Sequence, residues 1–264
     1  MEWLAGYLAI GAFVGFCAGM LGIGGGAIMV PLLVMLFDAQ GMPREHILHL
    51  AVGTSMATIL FTSAASVRSH AARGSLRWDI VRAVTPGIIA GGLAGSAIAS
   101  RIPTFVFASL FAATVFVAAT NLMLERKPRP GRELPGKLGL LAFGFSISAV
   151  SAFAAVGGAF LTLPFMLWCN VPMLQAIGTA AAIGFPIAAA GSIGFALSGW
   201  SQTGLPAWSL GYIFLPATAG IAVASMLLAP VGVAAAHRMP TRWLRRIFAL
   251  LLYAMAIRLI VNLW

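Results

Sequence analysis

Long apolar runs alternate with short polar or Gly- and Pro-containing segments along nearly all 264 residues of the chain. Each long run approaches the roughly 20 residues that an α-helix needs to cross the hydrocarbon core of a bilayer. The pattern therefore predicts an all-α integral membrane protein. In chain order, the predicted helical segments end near Leu21, Phe37, Val67, Ser100 and Leu124, and then near Ala155, Trp168, Leu197, Ala236 and Trp264.

A run of glycines interrupts the first apolar region between Gly19 and Gly26. Each glycine inside a helix costs about 1 kcal/mol relative to alanine. A membrane tolerates irregular backbone only where protein buries it or where it lines a watery cavity. The run thus predicts a helix break and a short second helix beginning near Gly25, whose first N–H groups could bind an anion. The alternative is a glycine surface for close helix packing.

A second copy of this arrangement follows in the other half of the chain. Moving 133 residues forward from Pro31 reaches Pro164, and the same step places Gly24 and Gly25 on Gly157 and Gly158. Further matched pairs are Gly53-Thr54-Ser55 with Gly178-Thr179-Ala180, Trp78 with Trp208, Pro86 with Pro216, and Arg101-Ile102-Pro103 with Arg238-Met239-Pro240. Interrupted apolar segments at matching places in two halves indicate a transport site.

The repeat divides the chain into a first membrane repeat (1–124), a basic linker (125–137) and a second membrane repeat (138–264). Thirteen of the 16 Lys and Arg residues fall on one side of the membrane only if the two repeats have opposite orientations. By the positive-inside rule that side is cytoplasmic. We therefore predict two inverted-topology repeats, each a Gly-broken re-entrant helix hairpin plus three transmembrane helices. The linker is then cytoplasmic, and both termini lie on the outer side of the inner membrane.

The repeats differ in one spacing. Pro216 and Pro240 are 24 residues apart, whereas Pro86 and Pro103 are 17 apart. Seven extra residues amount to about two helical turns. The difference predicts strong tilt or a kink in the apolar stretch 207–236.

The first-half motif, Gly15-Phe16 through Gly19 and Leu21-Gly22-Ile23-Gly24-Gly25-Gly26 to Val30-Pro31, is followed by Ala51-Val52-Gly53-Thr54-Ser55. This pattern resembles the TauE/SafE sulfite exporter family, and the resemblance extends over essentially the whole chain. It implies a multi-pass carrier of small sulfur-containing or organic anions. The second-half motif departs from the pattern, with Ala155 and Ala159 where the first half has Gly22 and Gly26.

Composition and charge exclude several other classes of protein. With 8% charged residues, the chain is far from the roughly 25% of soluble domains. The net charge of +10 does not indicate nucleic-acid binding, because the basic residues lie at helix ends and loops. No spacing of Cys, His or acidic residues suggests a metal site, a cofactor or a catalytic residue. The histidines lie near predicted loops, where solvation is their expected role, and His49 is a weak candidate for proton coupling.

The predicted substrate site combines backbone N–H groups from both helix breaks with hydroxyls from the helices that follow. Its residues are Gly24, Gly25, Gly26, Thr54, Ser55, Gly157, Gly158 and Thr179. An alternative role for Thr54 and Thr179 is a hydrogen bond to a carbonyl of their own helix. Gln175 and Asn170 are interpreted as helix-end polar groups, and Arg44 as a weaker candidate for attracting substrate.

The sequence thus predicts a secondary transporter of a small anion that works by alternating access. The resemblance implies sulfite, thiosulfate or a sulfonate such as sulfoacetate as the substrate, and export as the direction. Import of a small carboxylate is the alternative, and a membrane-embedded enzyme or a structural membrane subunit are alternatives of another class. The expected partners are the anion and the lipid bilayer, and the oligomeric state stays open.

Overall fold

The computed structural model describes residues 3–21, 25–124, 131–155, 159–236 and 241–263. Gly24, Gly157, Gly158 and the turn 238–240 lie outside this part of the chain. The helices are α1 (Leu4–Leu21), α2 (Gly26–Ala39), α3 (Ile47–Ala72), α4 (Trp78–Ala99), α5 (Thr104–Met123), α6 (Lys137–Ala154), α7 (Ala159–Trp168), α8 (Met173–Gly199), α9 (Leu215–Ala236) and α10 (Thr241–Leu263). A two-residue antiparallel pair, β1 (Ser209–Leu210) and β2 (Ile213–Phe214), precedes α9.

The protein is almost entirely helical, as the hydrophobic pattern predicts. Within the described residues, six helices are long and apolar enough to cross a membrane, namely α3, α4, α5, α6, α8 and the first 18 residues of α9. A described residue stands outside the helices at each expected break, since Gly25 lies in a turn before α2 and Ala155 takes a left-handed conformation after α6. The fold class of the sequence prediction is confirmed at this level.

The helices α3 and α8 form the centre of the molecule and run antiparallel to each other. Their contacts follow opposite orders along the two helices: Gly53 with Phe195, Met56 with Gly191, and Ser63 with Gly184. Both helices are largely buried by their neighbours, whereas α5 and α6 expose many large apolar side chains. Exposed apolar side chains are the surface that a bilayer requires.

The outer helices pair across the two halves of the chain. The first pair is α1 with α9, and the second is α6 with α4. Each pair is parallel and closely packed at a row of glycines: Gly11 with Ile221, Gly15 with Ser225 and Gly19 with Ala229, and then Gly87 with Leu141, Gly91 with Phe145 and Gly95 with Ala149. Small residues four apart let two backbones approach closely, so these rows hold the halves together.

The seven extra residues, from which we predict a tilt or kink within residues 207–236, lie before the helix and not inside it. The tilt or kink itself stays a prediction, and Pro230 lies inside the helix. Residues 209–214 form the strand pair, and α9 begins at Leu215. Pro216 stands in the first turn of α9, where proline is tolerated, whereas Pro86 lies inside α4. The two prolines are therefore not equivalent.

Candidate functional site

The two helix breaks meet inside the molecule. Helix α2 starts at Gly26 with Gly25 as its N-cap, and no side chain caps it. Helix α6 ends in Ala155, which takes a left-handed conformation with a φ of 47°. A Cβ atom on Gly26 would overlap the carbonyl oxygen of Ala155, so the backbones of the two breaks are in direct contact. Glycine at 26 is required by this approach.

Helix α3 closes one side of the paired breaks. A Cβ on Gly26 would lie 2.8 Å from Cδ1 of Ile59, and Ser55 is one helical turn before Ile59 on the same face. Ser55 is fully buried, and its hydroxyl has no hydrogen-bond partner among the described residues. The predicted site residues Gly25 and Gly26 thus lie together at the start of α2, and Ser55 lies one helical turn from the residue of α3 that Gly26 faces.

Thr54 and Thr179 each hold a segment from the opposite half of the chain. The Thr54 hydroxyl accepts a hydrogen bond of 3.0 Å from the backbone N–H of Phe214, just before α9. The Thr179 hydroxyl accepts one of 3.0 Å from the backbone N–H of Arg77, just before α4. The preceding glycines make room, since Gly53 packs against the Tyr212 carbonyl and Gly178 against the Ser75 carbonyl. We call these two matched contacts the Gly-Thr clasps.

The clasps give the repeated Gly-Thr pair a role that neither sequence interpretation contained. The alternative interpretation was a hydrogen bond to a carbonyl of the same helix. Within the described part of the chain, neither hydroxyl makes such a bond. Each hydroxyl uses a lone pair on the opposite segment and keeps its proton, which can still donate to a substrate. A substrate contact of Thr54 or Thr179 therefore stays a prediction.

Replacing either clasp threonine with valine is expected to lower the free energy of unfolding by about 1–3 kcal/mol, because a buried N–H at Phe214 or a part-buried N–H at Arg77 loses its acceptor. Thr54→Ser and Thr179→Ser keep the acceptor and should recover most of this loss. Thermal unfolding in detergent measures the difference. Thr58→Val is the matched control, since the Thr58 hydroxyl donates to the carbonyl of Thr54 in its own helix. Equal effects of valine at 54, 179 and 58 would contradict the clasp.

Several buried hydroxyls near the breaks were missed by the sequence reasoning. Ser148 and Ser151 lie in the last turns of α6, and Thr162 lies in the first turn of α7. All three are at most 1% exposed and have no hydrogen-bond partner among the described residues. The available signal was a hydroxyl residue within a few positions of a break in an apolar segment.

The expectation of a solvated histidine is wrong for His49, which is 3% exposed. Its Nε2 lies 3.2 Å from the carbonyl oxygen of Ala99, and its ring stacks on Tyr212 with centroids 5.1 Å apart. His49 thus joins α3 to the end of α4 and to the strand pair before α9. No contact within the described ranges places it against the helix breaks.

The remaining polar candidates lie at helix ends. Asn170 follows α7 and donates to the carbonyl of Arg132, and Gln175 is half-buried in the first turn of α8. Arg44 is exposed and pairs with Asp38 at 3.1 Å. In the described part of the chain, no three His, Cys, Asp or Glu side chains are grouped as metal ligands would be.

The chain matches the family model described as Sulfite exporter TauE/SafE over residues 7–259. A probable membrane transporter protein of Haemophilus influenzae is 33% identical over 256 residues, covering 97% of each chain. One of Methanocaldococcus jannaschii is 22% identical over 258 residues, covering 95% of this chain and 92% of its own. No solved structure matches significantly. Broken helices in contact at the centre of a bundle of membrane-spanning length suit such carriers, and this protein belongs to the TauE/SafE family of membrane transporters.

Proposed function

We propose that the protein is a secondary transporter that exports a small sulfur-containing oxyanion by alternating access of two inverted halves. The observation that carries the proposal is the contact between Gly26 at the start of α2 and the carbonyl of Ala155 at the end of α6. Paired helix breaks in the interior of a membrane protein bring unpaired peptide groups to one place, and helix starts bind anions.

Contacts at the far ends of the broken helices support the re-entrant hairpins. The Tyr7 hydroxyl, in the first turn of α1, bonds to Gln40 Oε1 at 2.8 Å, just after α2. The Trp168 carbonyl at the end of α7 accepts from the N–H groups of Gly131 and Arg132, a few residues before α6 begins. Each pair of helices thus starts and finishes at one place. In this arrangement α6 turns back at its break, although it is 18 residues long.

The helix directions support the inverted repeat. Helices α3 and α8 occupy matching places in the two halves and run antiparallel, as an inversion requires. Helices α1 and α6 occupy matching places in the two halves, and so do α4 and α9. Helix α1 packs on α9, and α6 packs on α4, so the same contact is made twice. The clasps repeat the exchange, because Thr54 holds the segment before α9 and Thr179 holds the segment before α4. Two equivalent halves joined in this way can rock about a central site, which is the geometry of alternating access.

The chemistry of the interior supports an anion held without a fixed positive charge. The buried polar side chains of the described residues are His49 and a set of Ser and Thr residues. Peptide N–H groups and hydroxyls donate to an oxyanion while burying no cation, so the empty site has a modest desolvation cost. A small sulfite, thiosulfate or sulfonate ion, sulfoacetate included, presents several oxygen acceptors to such donors.

Purified protein in liposomes is expected to release trapped sulfite, with protein-free liposomes as the control. A thermal-shift screen of sulfite, thiosulfate, sulfoacetate and short carboxylates in detergent identifies the preferred anion. If only a carboxylate stabilises the protein and is transported, the alternative function, import of a small carboxylate, would replace the proposed export of a sulfur oxyanion. Failure of the purified protein to bind or move any anion would contradict transport and favour a structural subunit.

A further inference from the structure

Resting on the proposed function, we propose that the substrate's side-chain hydrogen bonds come from the hydroxyls of Ser55, Ser151 and Thr162. They lie on α3, α6 and α7, which surround the paired breaks. The first hairpin, with Gly25 and Gly26, supplies backbone donors only. The two hairpins thus contribute different groups to one site.

Ser55 is placed by its neighbour one turn further along α3. A Cβ on Gly26 would touch the Ile59 side chain, and residues four apart lie on one face of a helix. Ser55 is 0% exposed, and its hydroxyl oxygen has no partner in the described part of the chain. It therefore presents an unused donor beside the start of α2.

Ser151 is placed by its position in the repeat. The matching residue of the first copy, 133 positions earlier, is Ala18, whose Cβ would lie 3.5 Å from a Cβ on Gly25. Ser151 thus occupies, in the second copy, the place that borders the break in the first. It is one turn before Ala155, whose carbonyl touches Gly26, and its hydroxyl is buried without a partner among the described residues.

Thr162 completes the set from the other side of the second break. It is the fourth residue of α7, fully buried, and its hydroxyl is unpaired within the described ranges. Its counterpart in the first copy is Met29, the fourth residue of α2. Both hydroxyls therefore belong to the second hairpin, where the glycine motif is reduced, and apolar side chains stand in their places in the first.

A buried hydroxyl without a partner destabilises the protein, so three hydroxyls near the helix breaks, each unpaired among the described residues, indicate a ligand that bonds to them. A structural hydroxyl would have the opposite property, since its removal would lower stability. The two roles are therefore distinguishable by measuring thermal stability with and without the anion.

Ser55→Ala, Ser151→Ala and Thr162→Val are expected to unfold at the same temperature as the wild type or higher when no anion is present. With sulfite, thiosulfate and methanesulfonate as probes, each variant should bind at least about tenfold more weakly than the wild type, because a hydrogen bond to a charged ligand is lost. Sodium chloride at equal ionic strength is the reference. Thermal shift in detergent and flux from liposomes are the measurements.

Thr58→Val and Ser192→Ala are the matched controls, since these buried hydroxyls donate to carbonyls of their own helices. They should retain the anion response of the wild type. An unchanged anion affinity in all three test variants would overturn this inference and leave the proposed function intact. A wild-type protein that responds to none of the probes would overturn the proposed function itself.

Discussion

Replacing Gly26 with alanine is expected to abolish transport while leaving the protein inserted in the membrane. The added Cβ would overlap the carbonyl oxygen of Ala155, a backbone atom that cannot rotate away. The two breaks must then separate, at a cost at or above the upper end of about 1–3 kcal/mol for overpacking. If the bound state alone needs the breaks in contact, a cost of about 3 kcal/mol lowers flux about a hundredfold.

The matched control is Gly184→Ala. Gly184 is also a buried glycine in a helix, and its added Cβ would meet only Cβ of Ser63, at 4.0 Å. This variant should transport like the wild type and be slightly more stable, because alanine favours helix more than glycine does. Flux from liposomes, normalised to the protein inserted, separates the two. Normal flux in Gly26→Ala would rule out the paired breaks as the transport site.

Alanine at Gly15 or Gly91 is expected to destabilise the protein strongly, because each glycine faces the backbone of the neighbouring helix. A Cβ on Gly91 would overlap the carbonyl of Phe145 and approach two more backbone atoms of that residue. A Cβ on Gly15 would reach Cα and the carbonyl oxygen of Ser225 within 2.5 Å. Helices in direct backbone contact cannot repack around a methyl group, so each change should cost at least about 3 kcal/mol.

Thermal unfolding in detergent and the yield of monodisperse protein measure this loss, again with Gly184→Ala as the control. The two glycines stand in the two exchanged helix pairs, α1 with α9 and α4 with α6, so their effects should be of similar size. A loss at only one of them would contradict two equivalent interfaces between the halves. Gly26→Ala differs from both in its place at the helix breaks, so a loss of flux per inserted protein is expected in addition to a loss of stability.

The predicted helix ends lie close to those in the structure, because each helix is a continuous apolar run with polar residues at its ends. The breaks were also predictable, since a run of glycines is the poorest composition for an unbroken helix across a membrane. The first run contains glycines in two different environments, and the anion site at the break stays a prediction. Gly19 packs against the Ala229 carbonyl, as the packing interpretation requires, whereas Gly26 meets the second break. Aligning the two halves of the sequence could not distinguish these two kinds of glycine, because the alignment does not show which atoms lie opposite each glycine.

The clasps mark where comparison of the two copies failed. The alignment of Pro86 with Pro216 placed the seven extra residues inside α9. In the structure they lie before α9, where the strand pair brings the Phe214 N–H to Thr54. A polar atom of a backbone segment leaves no signal in the side-chain pattern, because every residue other than proline carries the same N–H. The hydroxyl of Thr162 has no partner among the described residues, and this could not be predicted for a related reason, since whether a hydroxyl has a partner depends on its neighbours in space.

The order of residues was enough to predict the membrane class, the family and the places where α2 begins and α6 ends, and it is the basis for proposing two copies. These depend on hydrophobicity and backbone propensity, which act over a few consecutive residues. The packed molecule was needed to show that α1 packs on α9 and α6 on α4, that Gly26 touches Ala155, and that Thr54 and Thr179 hold the opposite half. These contacts join residues more than fifty positions apart. They depend on how closely two backbones can approach, which only the packed helices show.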